Sequence, residues 1–394
     1  MARKMDKHMK ISGNLNQEEI LRYSRHLLIP EVGLEGQRKL KSAAILLVGS
    51  GGLGSAIGLY LAAAGVGRIG LVDYDRVDSS NLQRQVIHDS GRVGKLKVES
   101  ARDRMRMLNP FVQVDIFNEV FSAANAERIA AEYAILVDGT DNFPTRYLLN
   151  DLAVLTKKPF VYGSIFRFEG QVSVFDATRG PCYRCLFPEP PPPDTVPSCA
   201  DAGVFGVLPG TIGTIQAAEV IKYFLGIGEM LVGKLLLYDA LEMSFQTIHL
   251  RKNPRCKACG ENPEISQLID YDAFCGIQTV NPNQNFVGSD RDIDPPELFE
   301  RLKRGEKIHL IDVRDPVEQQ VSALPGAVVI PLERLGNKVK ELDPQGEYIL
   351  FCRTGVRSAR GVRQMAAAGF QRVKNLRGGL NAWADQVDPD MLKY

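Results

Sequence analysis

Residues 42–78 read SAAILLVGSGGLGSAIGLYLAAAGVGRIGLVDYDRVD, and the fold turns on this stretch. Ser42 to Val48 is an apolar run without alternation, the pattern of a parallel strand buried on both faces. It ends in GSGGLG, continues as an apolar helix through Gly65, and gives way to a second strand, RIGLVD, closing at Asp73. Gly49, Gly51 and Gly54 thus form G-x-G-x-x-G between a strand and a helix, with an acid about 20 residues further on. Glycines admit phosphates close to the backbone, the helix N-terminus supplies positive potential, and the acid suits ribose hydroxyls. Alone, this fingerprint fits an NAD or FAD oxidoreductase.

Further strand-like runs follow at VQVDIF near Asp115, AILVD near Asp138, FVYGSI near Tyr162 and QVSVFD near Val174. Helical stretches, notably Lys95 to Leu108 and Ala123 to Glu132, separate the earlier ones, which predicts a Rossmann-like, doubly wound α/β domain. The proline-dense Phe187 to Pro197 reads as an extended loop, and a helix is expected over Thr211 to Leu225. Residues 276–290 are polar and uncommitted, the character of a linker. Beyond them a second alternating pattern of helices and strands fills 291–394, a smaller α/β domain. The first domain is therefore 1–275. A length of 394 residues agrees with two cores.

Forty-eight basic residues against 47 acidic ones give a net charge of +1, which argues against broad nucleic-acid binding. No apolar run reaches the roughly 20 residues of a membrane span, and the basic first residues lead into no hydrophobic segment of a secretory signal. Seven cysteines, with two CxxC pairs and no such signal, suit metal or thiol chemistry in a reducing, cytoplasmic setting.

Asn81, Arg84 and Lys97 follow Asp73 at intervals that can bring them to the phosphate mouth. Hydride transfer needs no such cations, whereas cleaving a triphosphate develops charge on departing pyrophosphate. DGTDN, Asp138 to Asn142, follows a strand directly, placing carboxylates where Mg²⁺ could be held. Asp138 or Asp141 could equally cap the next helix. Residues 49–88, together with DGTDNFPTRYLLND, RYSRH and PSCADAGVFGVLPG, closely resemble the MoeB/ThiF adenylyltransferases, relatives of ubiquitin-activating enzymes, over roughly Leu15 to Asp270. The resemblance implies ATP contacts by Gly52, Asp73, Asn81, Arg84 and Lys97, with Asp141 on Mg²⁺. Gly49, Gly51, Gly54, Asp75 and Asn142 complete the candidate nucleotide site. It also implies a homodimer in which Arg25 reaches into the neighbouring subunit's ATP site. The implied reaction is attack of the C-terminal glycine carboxylate of a ubiquitin-like sulfur carrier on the ATP α-phosphate.

Cys182-x-x-Cys185 and Cys256-x-x-Cys259 are two half-sites of the kind that close a tetrahedral thiolate site, which favours structural Zn²⁺. Their separation means that the site clasps distant segments. Cys199, after the proline-rich loop, is either a small buried hydrophobe or a chemical thiol, because relatives of the family carry a reactive cysteine on the matching loop. Cys275 has no motif.

Cys352-Arg-Thr-Gly-Val-Arg357 follows the strand YILF and precedes a helix. A helix N-terminus and two arginines favour the thiolate there. Phosphatase loops of this shape place the arginine after five intervening residues; here there are four, a smaller ring that better fits sulfur. The loop resembles that of rhodaneses, as do LIDVRDPVEQ, LPGAVVIP and GGLNAW, although SALPGA lacks the Gly-His often found there. Together the halves predict adenylation of the carrier, attack of a Cys352 persulfide on the acyl-adenylate, and reductive release of the thiocarboxylate, with Cys199 a candidate reductant. A carrier ending in Gly-Gly, from molybdopterin, thiamine or cysteine synthesis, is the expected partner. A cysteine desulfurase or thiosulfate is the expected sulfur donor. The competing readings are an oxidoreductase with a sulfurtransferase tail and a non-catalytic scaffold.

Overall fold

In the computed structural model residues 14–192, 203–276 and 291–394 are described. The chain divides into two compact units, Met1–Thr279 and Val280–Tyr394. No helix among the described residues is long and apolar enough to cross a membrane.

The first unit is built on an eight-stranded sheet: β1 (Ala44–Val48), β2 (Arg68–Val72), β3 (Gln113–Phe117), β4 (Ile135–Asp138), β5 (Phe160–Phe166), β6 (Glu169–Phe175), β7 (Lys234–Asp239) and β8 (Ser244–His249), in the order 3-2-1-4-5-6-7-8. Strands β1 to β5 are parallel, as the alternation of strands and helices predicts. From β5 onward the pairing is antiparallel, which the doubly wound pattern did not announce. Phe160–Phe166 and Glu169–Phe175 are joined too tightly for a crossover helix, so only a hairpin can connect them.

Successive residues of β1 point to opposite faces, and each face has its own core. Ile45 and Leu47 pack with Ile57, Leu61, Met105, Ile212 and Val220, whereas Leu46 and Val48 pack with Leu149, Leu152, Phe160 and Tyr162. Both faces need burial, which is why β1 reads as an unbroken apolar run; each such Leu or Ile contributes roughly 1.5–3 kcal/mol. One face is covered by helices Gly52–Ala64, Lys97–Leu108 and Leu208–Leu225, the other chiefly by Phe143–Thr156. Helix Leu208–Leu225 starts before the expected Thr211, because Pro209 sits in its first turn, where a missing N–H costs nothing.

The second unit has a five-stranded parallel sheet of β9 (Asp292–Ile293), β10 (His309–Asp312), β11 (Val328–Val329), β12 (Tyr348–Phe351) and β13 (Val373–Leu376), ordered 11-10-12-13-9. Ile311 and Leu350 face one core, Leu310, Ile349 and Phe351 the other.

The chain turns sharply at the carboxyl ends of β1 and β4, where glycine is required. A Cβ on Gly54 would lie 2.0 Å from the Gly49 carbonyl oxygen, and one on Gly139 would lie 2.4 Å from the same atom. Gly210, in the first turn of its helix, has nothing within 4 Å of its Cβ position. Gly54→Ala is therefore expected to lose about 2 kcal/mol or more of unfolding free energy in urea, and Gly210→Ala to gain about 0.5–1 kcal/mol.

Candidate functional site

A cavity of about 990 Å³ opens along the carboxyl ends of β1, β2, β3 and β4, where the strand order changes direction. Of the residues expected at the nucleotide, Gly49, Gly51, Gly52, Asp73, Asp75, Asn81, Arg84, Lys97, Asp141 and Asn142 line it. Gly54 lies beneath the loop against Gly49. Arg25 is exposed on helix Ser24–Leu27 and does not line the cavity of its own chain.

The glycine loop is fixed from below. Asp73 Oδ2 accepts hydrogen bonds from the Ser50 N–H and Oγ, both at 2.8 Å, and Oδ1 accepts from the Asp75 N–H at 2.9 Å. His88, buried, bridges the Ser50 carbonyl at 3.1 Å and Ser100 Oγ at 2.9 Å. Burial pushes its pKa down, which keeps a neutral ring under the loop. Lys97 Nζ pairs with Asp75 Oδ2 at 2.8 Å, and Arg84 Nη2 donates to Asn81 Oδ1 at 2.7 Å. Burial, then the carboxylates of Asp75, Asp73, Asp141 and Asp272, push the Tyr74 hydroxyl up. The mouth thus joins carboxylates to two cations, the setting for a polyphosphate with a hard divalent ion.

Asn142, not Asp138 or Asp141, caps helix Phe143–Thr156: its Oδ1 accepts from the Thr145 N–H at 3.0 Å. Asp138 instead lies fully buried at the end of β4. Its Oδ1 accepts from Thr140 N–H at 2.8 Å and Oγ1 at 2.6 Å, and its carbonyl from Gln216 Nε2 at 2.8 Å. Arg146 Nε stands 3.5 Å from Asp138 Oδ2, close enough for attraction, although neither atom makes a hydrogen bond. Arg146 and Gln216 were not anticipated. Nothing in the local sequence marks them, since their partners come from other elements.

The four sulfurs of Cys182, Cys185, Cys256 and Cys259 lie within 4.8 Å of one another, with Cys182–Cys256 and Cys185–Cys259 both at 3.5 Å. Tetrahedral Zn–S bonds of about 2.3 Å place sulfurs about 3.8 Å apart, so the donor set fits. Hydrogen bonding from Cys185 and then Cys256 pushes the Cys182 thiol well above the ordinary range, because so many sulfurs cannot all lose protons without a cation. Cys199 lies outside the described residues. Cys275 is buried in the core, and its thiol is pushed up to about 11 by burial.

In the second unit Cys352 lies at the end of β12, only 1% exposed, and its Sγ accepts from the Gly355 N–H at 3.2 Å. Helix Val356–Ala367 begins directly after. Arg357, the arginine that the sequence places beside the thiol, also meets a carboxylate. Its two terminal nitrogens pair with Glu318 at 2.8 and 2.7 Å. Glu318 also accepts from Tyr394 Oη at 2.7 Å, and the Arg353 guanidinium lies over the Tyr394 ring, 5.6 Å from its centre.

Parallel strands with a glycine loop, cations and carboxylates at their ends define a nucleotide-using α/β enzyme, here joined to a thiol-bearing unit. The chain belongs to the ThiF family, whose profile matches residues 23–258, and a Rhodanese-like domain matches 294–386. It is 49% identical over 386 residues to "Probable adenylyltransferase/sulfurtransferase MoeZ" of Mycobacterium tuberculosis, with 96% of each chain covered. It is 53% identical over 267 residues to the "Sulfur carrier protein adenylyltransferase" of Thermus thermophilus, covering 66% of this chain and 98% of that one. The E. coli MccB structure with ATP shares its fold, with a TM-score of 0.53 at 23% identity, over 62% of this chain and 75% of that one. The protein is thus an enzyme of the adenylyltransferase/sulfurtransferase type, and the hydride-transfer and scaffold readings fall away.

Burial raises Asp138 to about 6, against the opposing charge of Arg146. Because this lies above its unfolded value, the protonated carboxyl favours the fold, and that contribution is lost as pH rises through about 6. Asp138→Asn keeps an acceptor for Thr140 and cannot ionise. Its unfolding free energy relative to wild type should rise between pH 4 and 6.5 by about 2 kcal/mol, read from denaturant midpoints.

Proposed function

We propose that the enzyme activates the C-terminal glycine of a ubiquitin-like sulfur-carrier protein and converts it to a thiocarboxylate. The gathering of Arg84 and Lys97 with Asp73 and Asp141 around one glycine-floored cavity carries this reading, in a chain that also bears a thiol at a strand–helix turn. In it residues 1–275 make the adenylate, 291–394 carry sulfur, and 276–290 join them.

The carrier carboxylate attacks the ATP α-phosphorus, forming the acyl-adenylate and expelling pyrophosphate. Asp73 receives the ribose hydroxyls, with Asp75, Asn81 and Asn142 alongside it, and Gly49, Gly51 and Gly52 admit the phosphates. Arg84 and Lys97 offset the charge that grows on pyrophosphate. Lys97 would exchange Asp75 for phosphate as ATP enters. Asp141 is the proposed ligand of Mg²⁺, which supplies further neutralisation of the phosphates. Arg25 completes the site from a second subunit, making the working unit a homodimer.

Sulfur, from a cysteine desulfurase or thiosulfate, rests on Cys352 as a persulfide. The added sulfur extends about 2 Å from the buried Sγ. The terminal sulfur attacks the acyl carbon and AMP leaves, giving an acyl disulfide. A thiolate, for which Cys199 is the candidate, then attacks Cys352 Sγ, forming a disulfide and releasing the thiocarboxylate; an external dithiol restores both thiols. The four cysteines hold Zn²⁺ as a structural site, and the reducing cytoplasm suits this inventory.

ATP–pyrophosphate exchange should appear with Mg²⁺ and one carrier ending in Gly-Gly, and vanish when that tail is removed. No exchange with any competent carrier would defeat the reading. Cys352→Ala should keep exchange at the wild-type level and abolish thiocarboxylate, measured by carrier mass. Arg25→Ala and Lys97→Ala, each inactive alone, should regain up to about a quarter of wild-type exchange when mixed, since one site of a mixed dimer is intact.

A further inference from the structure

One buried carboxylate joins the four-cysteine site to the wall of the nucleotide cavity. Arg184 lies between Cys182 and Cys185 on helix Tyr183–Leu186, 3% exposed. Its Nε donates to Asp151 Oδ1 at 2.7 Å and its Nη2 to Asp151 Oδ2 at 2.8 Å. Asn150 Oδ1 accepts from the Tyr183 N–H at 2.7 Å, so helix Phe143–Thr156 grips the cysteine turn through consecutive residues. Asp151 Oδ2 also accepts from Tyr271 Oη at 2.8 Å. Tyr271 belongs to 268–272, which lines the same cavity as the glycine loop and follows the second cysteine pair by about ten residues. Helix Phe143–Thr156 is capped by Asn142 and lines the cavity with Pro144, Thr145 and Leu148, so its N-terminus forms part of the mouth.

Arg184 and Asp151 are both dry, and each leaves the other a buried unpaired charge if it moves. The cysteine turn, helix Phe143–Thr156 and segment 268–272 therefore share a fixed arrangement. Asp151 makes no contact with the cavity itself; it is a positioning residue whose load is Tyr271.

We propose that the metal held by the four cysteines sets the 268–272 wall of the nucleotide cavity through Arg184, Asp151 and Tyr271, so that metal and nucleotide binding strengthen each other. This rests on the reading that ATP occupies the cavity. Coupling of this kind is reciprocal: nucleotide must retain the metal by the same factor that the metal tightens nucleotide.

The test uses the full chain loaded with zinc, under reducing conditions. A non-hydrolysable ATP analogue with Mg²⁺ is titrated by calorimetry, and zinc loss to a competing chromogenic chelator is measured at equilibrium with and without saturating analogue. In the wild type, saturating analogue should reduce equilibrium zinc loss to the extent of an about tenfold higher zinc affinity, and stripped protein should bind the analogue about tenfold more weakly. Tyr271→Phe cuts only the tether and leaves the Arg184–Asp151 pair. It should bind analogue weakly whether zinc-loaded or stripped, and at saturation the analogue should no longer reduce zinc loss. Equilibrium zinc loss indifferent to saturating analogue in the wild type, or reduced equally in Tyr271→Phe, would overturn the proposal. Absence of analogue binding to zinc-loaded wild type would instead overturn the underlying reading of the cavity. Should stripping unfold the protein, seen by circular dichroism, the zinc-loss comparison alone decides.

Discussion

The backbone crossing at Gly49, Gly54 and Gly139 governs the rest of the first unit. β1 and β4 lie side by side, and the chain leaves their ends in opposite directions, so their following loops meet. A side chain on Gly54 or Gly139 would collide with the Gly49 carbonyl. Because nothing but glycine fits, helix Gly52–Ala64 can start directly over the strand ends with its N–H groups facing the cavity. The acids and cations that do chemistry are then placed by where their strands stop, Asp73 just past β2 and Asp141 just past β4.

Polar groups in this core carry position more than stability. Replacing a buried ion pair by packed apolar groups often costs little, whereas removing one partner costs much. Arg146 and Asp138, Arg184 and Asp151, and Arg314 and Asp312 all follow this logic: each joins a loop near a working group to a buried element. Arg314, fully buried, binds Asp312 and the Ser322 carbonyl and reaches Tyr394 Oη at 2.7 Å, while Tyr394 meets Glu318 and, through it, Arg357. The loop holding Cys352 is thus braced through Arg357 at its far end, and Gly355, with φ of 87°, turns an N–H onto the sulfur. The arginine read from the sequence as a counter-charge for the thiol also pairs with Glu318, a partner that comes from another element.

Local pattern determined much of this molecule. The apolar run of β1 could be read because a strand covered on both faces admits no polar residue. The glycine loop and Asp73 could be read because their spacing is that of one strand–loop–helix unit, and the cysteine pairs because metal geometry restricts each half-site to a single turn. Tertiary structure alone decided what depends on partners far apart in the chain. The hairpin that extends the sheet antiparallel, the duty of Asn142 rather than Asp141 as the cap, and the burial of Asp138 against Arg146 belong here. So does the meeting of Arg184 and Tyr271 on Asp151, 33 and 120 residues away along the chain. Sequence periodicity reports the environment of an element, whereas the choice of a partner across a core is made only when the elements pack.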